Sequence, residues 1–106
     1  MGQHQEVWLY GAGGNSICAL INGSVGWLMY LRYNGDIGFC SRNPDYTGDL
    51  DTEIGYTLAN GQQDWYPASW AVSRQQVLDA LDYFRANEKP SPNITWYNDS
   101  GDGTCI

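Results

Sequence analysis

Ile17-Cys18-Ala19-Leu20-Ile21-Asn22-Gly23-Ser24-Val25-Gly26-Trp27-Leu28-Met29-Tyr30-Leu31-Arg32-Tyr33-Asn34-Gly35-Asp36-Ile37-Gly38-Phe39-Cys40 decides the fold, because two Asn-Gly pairs divide it into three apolar runs. The tightest hairpin turns need positive φ at both central residues, which Asn and Gly adopt most cheaply. Each pair therefore predicts a hairpin. A third pair, Asn60-Gly61, separates residues 53–58 from residues 62–66. Successive hairpins predict an antiparallel meander. Val7-Trp8-Leu9-Tyr10 reads as a strand ahead of it, closed by Gly11-Ala12-Gly13-Gly14.

One helix is well specified, over residues 73–87. Ser73 is placed to cap the amide of Gln76 while Gln76 reaches back, and Val72 to staple onto Val77. Val77, Leu81 and Phe84 recur on one face with Ala80 beside them, whereas Arg74, Asp79, Asp82 and Arg85 look outward. Pro90 and Pro92 stop the helix, and residues 93–97 resume a strand pattern that can return to the sheet. Residues 99–106 are expected to fray. The expectation is an α+β protein, an antiparallel sheet packed by one helix, in a single domain spanning residues 1–106. Trp8, Trp27, Trp96, Tyr30 and Phe84 are expected in its core.

The chain has 106 residues, 42% of them hydrophobic and 16% charged, enough for one modest core. No run approaches a membrane span, and the first six residues lack the pattern of a secretory leader, so a cytoplasmic location is expected. The net charge of −7 excludes the clustered cations that free binding to a phosphate backbone requires. Asp36, Asp45, Asp49, Asp51, Glu53 and Asp64 stand against Arg42 alone between residues 36 and 64, so −5 of that charge is local. A cationic partner fits such a stretch.

Cys18, Cys40 and Cys105 show no C-x-x-C spacing and have only His4 for company, which disfavours disulfides and zinc. Cys18 and Cys40 read as small buried hydrophobes. Residues 11–16 fail as a phosphate loop, because position 16 is serine and no helix opens there; a flexible loop is expected. No cofactor or metal is implied. His4, in the N-terminal segment expected to be mobile, makes a Ser or Cys dyad improbable. Asp49, Asp51 and Glu53 alternate with Leu50, Thr52 and Ile54, a pattern that would align the carboxylates on one strand face. Such a row suits a solvated or partner-facing strand edge better than glycoside acid–base work. Trp65, Tyr66 and Trp70 follow Asp64 closely, and aromatics of this kind divide between core packing and interface anchoring.

Ser41-Arg42-Asn43-Pro44-Asp45, Tyr56-Thr57-Leu58-Ala59-Asn60-Gly61, Tyr66-Pro67, Ala80-Leu81-Asp82-Tyr83-Phe84, Lys89-Pro90 and Ile94-Thr95-Trp96 resemble, in that order, the first-numbered immunity-protein family of bacterial polymorphic toxin systems. The similarity spans roughly residues 25–98 and is weak before them. It implies a small cytoplasmic α+β protein that is not an enzyme and blocks the active site of a cognate toxin. Several toxins paired with the family are deaminase-fold proteins acting on nucleic acid. A basic substrate groove on such a toxin would be complemented by an acidic row rimmed with aromatics. The expected contact residues are Asp45, Asp49, Asp51, Glu53, Asp64, Trp65, Tyr66 and Trp70, and neither nucleic acid nor a membrane is bound directly. The alternative is a carbohydrate-binding β module, with Trp and Tyr as stacking platforms. A third reading, a hydrolase using Asp51 and Glu53, predicts turnover that vanishes on Glu53→Gln.

Overall fold

The unbroken apolar runs in the first half of the chain build a sheet that is apolar on both faces. In the computed structural model, which describes residues 3–106, β1 (His4–Tyr10), β2 (Ser16–Asn22), β3 (Val25–Leu31) and β4 (Phe39–Arg42) pair antiparallel in sequence order. Met1 and Gly2, which open the segment read for a leader, lie outside the described residues. After β5 (Glu53–Thr57), β6 (Gln63–Pro67) and a short 3-10 turn (Ala68–Trp70) come β7 (Val72–Ser73), which pairs with β3, and helix α1 (Arg74–Asn87). The last strand, β8 (Thr95–Asn98), returns to pair with β4 and completes a six-stranded sheet. The architecture is α+β. Among the described residues no helix is long and apolar enough to cross a membrane.

The helix forms where its caps place it. The Ser73 hydroxyl accepts from the Gln76 amide at 3.1 Å, and the Gln76 side chain accepts from the Ser73 amide at 2.9 Å. Val72, Val77, Ala80, Leu81 and Phe84 then pack on Ile17, Ala19, Ile21, Leu28, Tyr30 and Phe39 of the sheet. A second core lies on the opposite face, where Cys18, Leu20, Trp27 and Cys40 meet Tyr56, with Ile54, Leu58, Tyr66 and Trp70 around them.

That second core corrects the meander. The β5–β6 hairpin leaves the sheet and forms a two-stranded sheet of its own across the second face. The physical reason is the continuous apolar run of β2, whose even positions would otherwise face water. The three Asn-Gly turns form with positive φ on glycine alone: Gly23, Gly35 and Gly61 take it and no asparagine does. In the β2–β3 turn, Asn22 still pairs with Val25, so Gly23 is the first central residue, as in type II′ turns.

Four further expectations change. Trp8 is 37% exposed, because it lies with Glu6 and Tyr10 on the second face at the sheet's edge, beyond the hairpin. His4 is a member of β1, and its Nδ1 accepts from the Thr57 amide at 3.1 Å. The tail is tied rather than frayed: Asn98 donates to Asp102 and to the Thr104 carbonyl, and Arg32 pairs with Asp102 at 2.9 Å. The 11–15 connection is likewise braced, with the Ala12 amide donating to Glu88 Oε1 and Asn15 Nδ2 to the Glu88 carbonyl.

Candidate functional site

Residues 43–52 connect β4 to β5 and carry most of the expected contact carboxylates. The acids do not line a strand. The Asp49 side chain accepts from the Asp51 amide at 2.9 Å, and the Asp49 carbonyl accepts from Thr52 at 3.2 Å, which closes a turn in which Asp49, Leu50 and Asp51 cannot alternate. Asn43 forms a similar turn to the Asp45 amide at 3.0 Å. Glu53 alone belongs to a strand. The expected row is therefore replaced by an acid-bearing loop running into β5.

The loop is braced. Its ends are fixed by the Asn43 amide donating to the Ser69 carbonyl and the Ala68 amide to the Thr52 carbonyl, both at 2.8 Å. Inside it, the Tyr46 hydroxyl donates to the Asp49 carbonyl at 2.7 Å, across Gly48, where a Cβ would come within 2.6 Å of the tyrosine oxygen. Asp45, Asp49, Asp51 and Glu53 are exposed. Ion pairs among the described residues join Arg32 to Asp36 and Asp102, Arg42 to Asp99, and Arg85 to Asp82, so they leave these four without a cation. Asp36, by contrast, is buried against Arg32 and adds nothing to the surface.

The aromatics separate into support and surface. Tyr66 stacks on Trp27 with ring centres 4.2 Å apart and planes 9° from parallel, and Trp70 stacks on Tyr66. The Arg42 guanidinium lies 3.7 Å from the Trp70 ring centre and 4.5 Å from that of Tyr97. Tyr66 and Trp70 thus pack the second core. Asp64 shares the inner face of the hairpin with them, half-buried, its carboxylate accepting from the Tyr66 hydroxyl at 3.4 Å. Trp65 points the other way and is 57% exposed. Its six-membered ring lies over Gly55, where a Cβ would sit 3.0 Å from the ring, and it shares the outer face with Glu53. Of the eight expected contact residues, the structure brings Asp45, Asp49, Asp51, Glu53 and Trp65 to the surface; Asp64, Tyr66 and Trp70 lie behind it.

Trp8, which the sequence placed in the core, and Tyr10 and Tyr97, which it did not single out, are exposed aromatics. A signal existed for Trp8: it alternates with Val7 and Leu9, which reach the helix-side core, and so must face the other way. Burial pushes the Cys18 thiol up to about 12 and Cys40 in the same direction, so both stay protonated and unreactive at neutral pH. Among the described residues no group of three or more His, Cys, Asp or Glu side chains is disposed to hold a metal ion. No protein-family model matches the chain, and no curated protein matches it either.

Proposed function

We propose that the protein is an immunity protein, which binds a cognate bacterial toxin of the nucleic-acid-targeting, deaminase type and covers its basic active site. The observation that carries this reading is the braced loop of uncompensated carboxylates beside a pre-seated, exposed Trp65. Fixed negative charge steers a cationic partner and pairs with it, while a rigid indole fills a pocket at little entropic cost. Close charge pairs at such interfaces contribute about 1.5–7 kcal/mol of coupling, and rim pairs act chiefly on the on-rate. The resemblance in motif order to the immunity-protein family supports the same reading.

The test is to read the neighbouring reading frames for a toxin module and co-express the one found there, where rescue of growth is expected; absence of such a module, or no rescue by co-expression, overturns the reading. In binding kinetics, Asp49→Asn, Asp51→Asn and Glu53→Gln together are expected to slow association about tenfold or more and to flatten its salt dependence. Trp65→Ala is expected to raise the off-rate about 30-fold, as for a hot spot of about 2 kcal/mol. An unchanged salt slope would remove the acidic loop from the interface. The flat seat of Trp65 also suits a sugar ring, so a saturable fluorescence change with mixed oligosaccharides would favour a carbohydrate-binding module instead.

A further inference from the structure

β1 is the end strand of the sheet, and its backbone has a side left open. Just outside the β1–β2 ladder and in its register, the Gly23 amide donates to the Gln3 carbonyl and the Gly11 amide to the Asn15 carbonyl, both at 2.8 Å. Odd-numbered residues therefore turn their backbone groups toward β2. Because these groups alternate sides along a strand, His4, Glu6, Trp8 and Tyr10 aim theirs outward.

Among the described residues the other strand edges are guarded. β8 is only four residues long and β7 two, β6 carries Asp64 and ends at Pro67, and the Thr57 and Ala59 amides at the edge of β5 donate to His4 and Glu6. β1 has seven residues with an unbroken register and no proline or lysine, and its one carboxylate, Glu6, is engaged by the Trp8 indole and the Ala59 amide. A groove of about 320 Å³ lies along its first half, between His4, Gln5, Glu6 and Val7 and the Thr57, Leu58 and Ala59 segment.

The occupant follows from the sequence of β1 itself. An antiparallel second copy must set even residues against even ones, which leaves three central registers, with the two-fold axis at Glu6, Val7 or Trp8. An axis at Glu6 opposes two carboxylates. An axis at Val7 pairs His4 with Tyr10 and Glu6 with Trp8, opposes no like charges, and forms the most inter-strand hydrogen bonds, about eight. It also carries the exposed rings of Trp8 and Tyr10 toward the Thr57–Ala59 segment of the other copy. We propose that two copies of this chain pair through β1, antiparallel about Val7, to form one continuous sheet.

Sedimentation of the wild-type chain from micromolar to submillimolar concentration is expected to show the mass doubling. Trp8→Glu, which sets a carboxylate against Glu6 of the second copy, is expected to abolish the doubling while leaving the circular dichroism spectrum native. With Cys105→Ser removing the exposed thiol, Val7→Cys is expected to form a disulfide-linked dimer on oxidation, because facing Cβ atoms at the axis lie about 4.5–5.5 Å apart. In the wild type, hydrogen exchange at the Glu6 and Trp8 amides is expected to slow as concentration rises. A wild-type chain that stays monomeric overturns the proposal, as does a dimer that survives Trp8→Glu without linking at Val7→Cys. Protection of those amides only when a different protein is added would give the edge another occupant and overturn it equally.

Discussion

Asp36 shows how one side chain is committed to structure rather than surface. Its carboxylate accepts from the Arg32 amide at 3.0 Å and from the Arg32 guanidinium at 2.8 and 2.9 Å. Those bonds hold its pKa at about 2, below the ordinary 3.8. The folded carboxyl keeps its charge where an unfolded one would be protonated, so the stabilisation is complete above about pH 4 and fades as pH falls toward 2. The shift corresponds to about 2 kcal/mol. Asp36→Asn is expected to lose about that much at pH 7 and little near pH 2, checked by urea unfolding at both pH values. Nothing in the sequence separated Asp36 from its acidic neighbours, because its partner lies across a turn whose geometry is set by Gly35 and Gly38, both at φ +89°.

Among the elements, the helix was legible in full. Its capping box, staple and apolar stripe are local patterns, and local patterns survive folding unchanged. Ser73→Ala is expected to destabilise the protein by about 1 kcal/mol in thermal or chemical unfolding, with Ser73→Gly costing less. The acidic stretch was not legible. Alternation of Asp49, Asp51 and Glu53 with other residues fits a strand, but short acidic side chains can also bond to the backbone two residues on, and here that option wins. The hairpin 53–67 was legible as a hairpin and not as a layer. The clue to the layer lay elsewhere, in the unbroken apolar run 17–21, which announces a strand covered on both faces. Tyr66 and Trp70 went to that layer, which is why they support the candidate surface instead of forming it.

For the whole molecule, the spacing between helix and sheet rests on one residue. At Gly26 a Cβ would lie 2.7 Å from Val77 Cγ2 and 2.8 Å from the Leu20 carbonyl oxygen. The backbone oxygen cannot step aside as a side chain can. Gly26→Ala is expected to lift α1 from the sheet and destabilise the protein by about 1–3 kcal/mol, seen as a lower Tm. A steeper loss than for Ser73→Ala is expected, since the clash reaches β2, β3 and α1 together.

Both layers that shield β2 and β3 come later in the chain than the strands they shield: the hairpin at residues 53–67, the helix at residues 74–87. On the ribosome, therefore, the greasiest third of the polypeptide emerges first and waits uncovered until most of the remainder has been translated. Nascent chains stalled before residue 74 should need a holding chaperone to stay in solution, and release to the full length should end that need.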